Sequence, residues 1–227
     1  PSHKEGMDKV ISILTDKELG VIASLDEIKG IGHRVVHGGS FTKPVIADEG
    51  VIKELEKAIP LAPLHNPANI QGLEVARRLF KGIPNVVVFD TAFHQTMPEE
   101  AYMYPIPYKF YETHKIRKYG FHGTSHEYVA NRTAEIMGKD INDCNFITVH
   151  LGNGSSISSV KGGKCQDTSM GLTPLDGVMM GTRCGTIDPA VVAFMCKNCG
   201  LSVEEADKVL TKESGLVGIC GSSDMRD

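Results

Sequence analysis

The sequence lacks several features that would place it in common functional classes. No apolar run approaches the length of a membrane-spanning helix, and no charged and then apolar leader opens the chain. Lysine and arginine total 24 against 28 aspartates and glutamates, giving a formal net charge of −4, so we expect no broad basic surface for nucleic acid. These absences predict a soluble cytoplasmic protein whose partners include neither membrane nor nucleic acid.

Known nucleotide and metal signatures are also missing. There is no Gly-Lys-Ser/Thr ending of a P-loop and no Gly-x-Ser-x-Gly elbow of a serine hydrolase. Cys196 and Cys199 are two residues apart, but a structural zinc site needs two more ligands at matching spacing, and the sequence offers none. We therefore expect the six cysteines to be free thiols, and we assign no residue as a metal ligand.

The pattern that is present alternates strand-like and helix-like segments, as in α/β proteins. Strands are predicted over Ile28–His37 and Val86–Phe89, and a β-meander over 146–151, 156–160 and 164–168. Asp90 ends the second strand at its carboxyl end, where open α/β sheets place ligand-binding groups.

Capping signals predict where the helices begin. They are Asp48, the pair Asn66-Pro67, Thr124 with Glu127, Asp188-Pro189, and Ser202 with Glu205, which opens the final helix. In the helix after Thr124, the apolar spacing predicts that Val129, Thr133 and Ile136 face inward. The segment from Thr91 to Tyr119 is predicted to be a long ordered connection.

The segment His150-Leu-Gly-Asn-Gly-Ser-Ser156 has two readings. Its glycines would let backbone N–H groups approach an anion, as in phosphate-binding turns. Asn-Gly between two strands is also the commonest signal for a plain hairpin. The residues alone leave both readings open.

Two arginines and an aspartate are candidates for handling phosphate. Arg34 lies in an apolar strand and needs either an ion pair or a bound anion. Arg183 lies in a Gly/Thr loop before a helix, from which an arginine can reach a transferring phosphoryl group. Asp90 could hold Mg²⁺, orient a partner or cap a turn. His65, His122 and His150 stand next to these loops and favour a site that holds oxyanions.

Six segments in order resemble the acetate kinase family. They are His33-Arg-Val-Val-His-Gly-Gly39, Pro63-Leu-His-Asn-Pro67, Phe89-Asp-Thr-Ala-Phe-His94, Tyr119-Gly-Phe-His-Gly-Thr-Ser-His126, His150-Leu-Gly-Asn-Gly154 and Gly181-Thr-Arg183. The resemblance implies an α/β fold of the actin-like, ribonuclease H-like type, with two domains and a cleft between them. It places residues 1–91 in part of the first domain and residues 92–227 in part of the second.

The resemblance also implies a reaction and roles for its residues. ATP would transfer a phosphoryl group in line and reversibly to acetate, giving acetyl phosphate and ADP, with Mg²⁺ accompanying ATP and a homodimer as the assembly. Arg34, Asp90, His122 and Arg183 would be catalytic. Arg34 would also bind substrate, together with Val36, Leu64, His65, Phe121 and Pro174. The nucleotide would contact His150, Leu151, Gly152, Asn153, Gly154, Asp224, Met225 and Arg226.

Departures from the family pattern limit these expectations. The Asn/Ser-rich phosphate loop that opens family members has no match here, and neither do the later adenosine contacts and the metal-linked glutamate. We therefore expect little or no kinase activity from this chain alone. Propionate or butyrate as the acceptor, pyrophosphate as the donor, and a nucleotide-binding module without turnover remain alternatives.

Overall fold

The computed structural model, which describes residues 3–63 and 65–226, divides into two compact units, Pro1–Ala92 and Phe93–Asp227. The predicted division into residues 1–91 and 92–227 falls one residue earlier. Each unit has its own three-stranded sheet and its own helices.

The first unit is built on a short mixed sheet in the order β1-β3-β2. Strands β1 and β3 run parallel, whereas β2 is antiparallel to β3. Its elements in chain order are α1 (His3–Leu14), β1 (Ile31–Val35), β2 (Val45–Ile46), α2 (Glu49–Lys57), α3 (Asn66–Leu79) and β3 (Asn85–Phe89).

The core of the first unit lies between its sheet and helices α2 and α3. Asp48 caps α2 as predicted, because its side chain accepts a hydrogen bond from the Val51 N–H at 2.8 Å. The apolar face of α2 then packs with α3 and the sheet, and Phe41 stacks on Phe89 with ring centroids 5.1 Å apart. The buried members are Val35, Ala47, Val51, Ile52, Leu55, Ile70, Leu73, Val87 and Phe89.

Two predictions about this unit are wrong in detail. Strand β1 is shorter than the predicted Ile28–His37. Burial along β1 alternates, and the Arg34 side chain is 62% exposed. Asn66 does not cap α3 but is its first residue, after His65. The buried Asn66 amide instead bonds both the N–H and the carbonyl of His37, at 3.1 and 2.9 Å, and so holds the chain beyond β1.

The second unit contains the predicted β-meander. Strands β4 (Asn145–Leu151), β5 (Ser155–Lys161) and β6 (Lys164–Thr168) form an antiparallel sheet in chain order, which confirms the three predicted strands. The helices in chain order are α4 (Glu99–Tyr102), α5 (Lys109–His114), α6 (Gly123–Ile136), α7 (Ala190–Asn198), α8 (Val203–Lys212) and α9 (Gly215–Cys220).

Helix α6 differs from its prediction in its start and in its buried face. It begins at Gly123 without a side-chain cap, so Thr124 is not the capping residue. Val129 and Ile136 are exposed, and the buried positions are Gly123, His126, Ala130 and Ala134. The helix turns its small residues toward the interior and buries a histidine whose nitrogens are hydrogen-bonded, which the apolar spacing alone does not reveal.

The remaining segments follow their predictions more closely. The connection before Tyr119 is ordered by α4 and α5 and by Arg117, whose guanidinium lies 3.6 Å from the Tyr102 ring centroid. Ser202 and Glu205 form the predicted capping box of α8, although α9 follows, so α8 is not the last helix.

The six cysteines are free thiols. Within residues 3–63 and 65–226, no helix is long and apolar enough to cross a membrane.

Candidate functional site

The first unit presents an arginine held by a buried carboxylate. Arg34 on β1 donates its Nε–H and Nη2–H to the two oxygens of Asp90, at 2.8 and 2.5 Å. Asp90 follows β3, the parallel neighbour of β1, so both residues lie near the carboxyl ends of adjacent strands. The Asp90 side chain is only 3% exposed. Of the two predicted partners for Arg34, an ion pair or a bound anion, the structure shows the ion pair, and the Arg34 side chain stays 62% exposed.

Electrostatics agrees with this geometry. The hydrogen bonds to Asp90, more than its charge at a distance, raise the pKa of Arg34 above its usual value, against the opposing effect of burial. A two-bond fork of this kind fixes the orientation of the guanidinium plane. The exposed part of Arg34 is therefore a rigid cation that can meet a carboxylate or a phosphate.

The chain beyond β1 is held by polar side chains from α3 and from the end of β3. The Val36 N–H donates to Asn69 Oδ1 at 3.1 Å, and the Gly38 N–H donates to Thr91 Oγ1 at 3.2 Å. Val36, predicted to contact substrate, is buried at this point. Leu64 lies outside the described residues, and half-buried His65 immediately precedes α3.

In the second unit, the glycine turn joins β4 to β5. The Gly152 N–H donates to the Gly154 carbonyl at 3.0 Å, and Leu151, Gly152 and Asn153 are exposed. A Cβ placed on Gly154 would lie 3.2 Å from Arg183 Nη1 and 3.5 Å from His122 Cε1. The turn, His122 and Arg183 therefore meet at one place, and a side chain at position 154 would crowd Arg183.

Arg183 supplies positive charge at that place. Its Nη1–H donates to the Pro174 carbonyl at 2.9 Å, which joins two residues that were predicted separately. The Gly181 N–H donates to the Asn153 carbonyl at 3.1 Å, so the loop that carries Arg183 is tied to the glycine turn. Burial lowers the pKa of Arg183. Among the described residues, no carboxylate forms an ion pair with it, so an anion from outside is a favourable partner.

The backbone before α6 sets the position of His122. This residue has a left-handed conformation, with φ of 58°, which is uncommon for a residue other than glycine. The carbonyl of buried Phe121 accepts a hydrogen bond from His94 Nε2 at 2.8 Å. Gly120 also has a positive φ, of 73°, and a Cβ there would lie 2.8 Å from His94 Cδ2. The Tyr-Gly-Phe-His motif therefore presents His122 at a bend that packing enforces.

Two further histidines surround His122. The His150 ring stacks on it with centroids 4.0 Å apart, and His150 Nδ1 lies 2.9 Å from Ser125 Oγ. His122 Nδ1 lies 2.9 Å from Ser156 Oγ, which is also 2.7 Å from His126 Nε2. Burial first, and then the neighbouring histidines, lowers the pKa of His126 to about 3, so this ring is neutral near pH 7.

Sequence reasoning assigned no role to His126, Ser156 or Thr148. The signals were present: His126 lies in the first turn of the helix that follows His122, and strand alternation places Thr148 and His150 on one face of the sheet. The register pairs His150 with Ser156. What the sequence could not supply was this register together with the approach of α6 to β4 and β5.

The predicted adenosine contacts lie near the end of the chain. Arg226 pairs with Asp224, because its Nε donates to the two carboxylate oxygens at 2.9 and 3.1 Å and its Nη2 donates to Oδ2 at 2.5 Å. The side chains of Arg226 and Met225 are exposed. The three residues thus engage each other or solvent, and their nucleotide contacts stay a prediction.

The fold and these clusters define an α/β protein whose arginines, histidines and glycine turn are chemically suited to bind oxyanions. The Acetokinase family model matches residues 1–227. The chain belongs to this family, whose solved members have the actin-like fold.

Individual relatives agree with this assignment. The chain is 57% identical over 226 residues to the acetate kinase of Desulfotalea psychrophila, covering 99% of this chain and 56% of the relative. It is 58% identical over 228 residues to the acetate kinase of Maridesulfovibrio salexigens, and the match covers 100% of this chain and 58% of that relative. The chain therefore spans little more than half the length of these relatives.

Solved structures match over a similar share. This chain matches the crystal structure of the Porphyromonas gingivalis acetate kinase with a TM-score of 0.95 and 47% sequence identity. The match covers 100% of this chain and 57% of that structure's chain. This chain matches the structure of a propionate kinase from Francisella tularensis with a TM-score of 0.92 and 49% sequence identity, over 99% of this chain and 57% of that structure's chain.

Proposed function

We propose that this chain supplies part of the active site of a kinase that transfers a phosphoryl group from ATP to acetate. The observation that carries the proposal is the meeting of His122, Arg183 and the turn at Gly154. Family membership supports acetate kinase as the activity. Because the chain spans only part of its relatives, both the activity and the substrates are proposals for the whole protein.

The chemistry requires charge neutralisation more than bond-making by the protein. A carboxylate oxygen of acetate attacks the γ-phosphorus of ATP, the bond to the β-phosphate oxygen breaks, and ADP leaves without any proton transfer. The turn around Gly154 would offer backbone N–H groups to the phosphates. Arg183 and His122 would stabilise the transferring group, and an arginine in this role is worth roughly 10³–10⁵ in rate. Arg34, oriented by Asp90, is the other arginine that the family resemblance assigns to catalysis.

We propose that the substrate residues named by the family resemblance recognise acetate. Val36 and Phe121 are buried apolar side chains, and Pro174 is tied to Arg183 through its carbonyl. By that resemblance these apolar residues, together with Leu64, are assigned to the methyl group, and Arg34 and His65 are assigned to the carboxylate. A small apolar pocket discriminates weakly between substrates that differ by one methylene, by about 10–200-fold.

Mg²⁺ would arrive with ATP and supply charge neutralisation at its phosphates. Among the described residues, no group of three or more His, Cys, Asp or Glu side chains could hold a metal ion. Asp90, the predicted candidate, is engaged by Arg34. These residues do not form a protein cage for Mg²⁺, and none of the steps above depends on one.

The proposal is tested with a hybrid enzyme, in which residues 1–227 replace the matching segment of the Desulfotalea psychrophila relative. The assay measures acetyl phosphate formed from ATP and acetate, with the unmodified relative as a control. We expect turnover in the hybrid, loss of at least about 10³-fold in Arg183→Gln, and little or no turnover in the 227-residue chain alone. A hybrid that is folded and binds ATP but forms no acetyl phosphate would refute the proposal.

Propionate is the second candidate acceptor, because the Francisella tularensis structure is of a propionate kinase and is 49% identical. Comparing kcat/KM on acetate and propionate in the hybrid decides between them. Val36→Ala should shift the ratio toward propionate if Val36 contacts the methyl group. Replacing ATP with pyrophosphate in the same assay tests the alternative donor.

The assembly and the non-catalytic alternative have separate tests. We propose a homodimer, which light scattering of the hybrid would reveal as twice the monomer mass. Because ATP is the proposed donor, we also propose the cytoplasm as the location of the protein. Calorimetric titration of the 227-residue chain with ADP measures nucleotide binding without turnover, which is what the binding-module alternative requires.

A further inference from the structure

A line of buried polar groups connects His122 to the backbone of β5. His122 Nδ1 lies 2.9 Å from Ser156 Oγ, which lies 2.7 Å from His126 Nε2. His126 Nδ1 lies 2.7 Å from Thr148 Oγ1, which lies 3.4 Å from the Ser158 carbonyl oxygen. We call these four side chains and that carbonyl the histidine relay.

The last bond of the relay sets the direction of all the others. A carbonyl can only accept, so the Thr148 hydroxyl donates to Ser158 and its oxygen accepts from His126 Nδ1–H. His126 is almost completely buried and neutral, so its ring carries a single proton and its Nε2 must accept. The Ser156 hydroxyl donates to that nitrogen, which leaves the Ser156 oxygen to accept from His122 Nδ1–H.

We propose that the histidine relay keeps a proton on His122 Nδ1 in both charge states of the ring, which confines the exchangeable proton to Nε2. That atom would lie 3.6 Å from a Cβ placed on Gly154, on the side of the glycine turn. When the ring is protonated, Nε2–H is the donor on the side of the glycine turn, and no hydroxyl of the relay has to rotate.

The relay assigns His126 and Thr148 as positioning residues, since they act through His122. A donor that is already oriented stabilises developing charge without reorganisation during the reaction. The catalytic consequence rests on the proposed function, whereas the tautomer of His122 does not. An imidazole tautomer set by the hydrogen bond of the other ring nitrogen is a general feature of histidine sites.

The test compares Thr148→Val with Thr148→Ser in the 227-residue chain. Imidazole ¹⁵N NMR of His122, assigned by its loss in His122→Gln, reports which nitrogen carries the proton in the neutral ring. We expect Nδ1–H in the parent and in Thr148→Ser, which keeps the hydroxyl. In Thr148→Val the His126 Nδ1–H would lose its acceptor, so His126 should protonate Nε2 instead, reverse the bonds through Ser156 and leave His122 as Nε2–H.

Ser156→Ala provides a second test, because it cuts the relay next to His122 and should also release the Nδ1–H tautomer. An Nε2–H tautomer in the parent, or an Nδ1–H tautomer that persists in both folded variants, would overturn the proposal. Amide spectra that match the parent show that a variant is folded.

The hybrid enzyme separates the catalytic role from the structural one. We expect Thr148→Val to lower kcat by about tenfold or more, as when outer partners of an imidazole are removed, with KM for ATP changed by less than about twofold. Thr148→Ser should stay close to the parent. A switched tautomer with unchanged kcat would overturn the catalytic role. An inactive parent hybrid would refute the proposed function, and the NMR result would still decide the relay.

Discussion

Replacing Arg34 by methionine should destabilise the protein more than replacing Asp90 by asparagine, although both changes break the same ion pair. The reason is the difference in exposure, since the Arg34 side chain is 62% exposed and that of Asp90 is 3% exposed. When Asp90 is changed, the guanidinium can turn to water. When Arg34 is changed, an ionised carboxylate stays buried without its partner.

The magnitudes follow from these two situations. A buried charge left without its partner costs roughly 3–5 kcal/mol, and partial access of water near Arg34 favours the lower end, about 3 kcal/mol. Asp90→Asn keeps one acceptor and gives up a charge-assisted bond, for a cost of about 1–2 kcal/mol. Arg34→Lys keeps the charge without the two-bond fork and should cost about 1 kcal/mol.

The assay is urea unfolding of the 227-residue chain followed by far-ultraviolet circular dichroism. Amide hydrogen exchange in β1 and β3 restricts the comparison to the first unit. The matched control is Arg132→Met, which breaks an exposed ion pair with Glu135 and should change stability by less than about 0.5 kcal/mol. Equal losses in Arg34→Met and Asp90→Asn, or a larger loss in Asp90→Asn, would refute the burial argument.

Three further predictions concern the second unit. Burial lowers the pKa of His126 to about 3 from its ordinary value of 6.5, so between these pH values the unfolded chain binds more protons than the folded one. Stability should therefore fall as the pH drops below 6.5. Urea unfolding at several pH values should show that the free energy of unfolding depends less steeply on pH in His126→Gln than in the parent, by up to about 1.4 kcal/mol per pH unit. Gly154→Ala puts a methyl group 3.2 Å from Arg183 Nη1 and should weaken ADP binding in calorimetry about tenfold, or about 1.4 kcal/mol, whereas Gly72→Ala, with no atom within 4 Å of the new Cβ, should leave binding unchanged. Gly120→Ala combines a φ of 73° with a Cβ 2.4 Å from Thr168 Cγ2 on β6, so it should lower the free energy of unfolding by more than about 2 kcal/mol in the same urea assay. An unfolding midpoint equal to that of the parent would contradict this prediction.

Local signals in the sequence predicted much of the fold. Turn and alternation patterns gave all three strands of the meander, and the capping signals at Asp48 and Ser202 were correct. These features depend on interactions within a few residues, so they can be read from a short window. The prediction failed at α6, where Ile136 is exposed and the buried face contains His126, because the sheet decides which face of the helix is covered.

The sequence by itself determined which residues are candidates for the chemistry: the family motifs, two arginines in special settings and the glycine turn. Only the tertiary structure decided which partners these residues meet. It paired Arg34 with Asp90 across 56 residues of chain, and it linked His122 to Ser156 across 34. Residue type and spacing record what a side chain can donate or accept, whereas the partner it meets depends on strand register and helix packing, which many distant residues fix together.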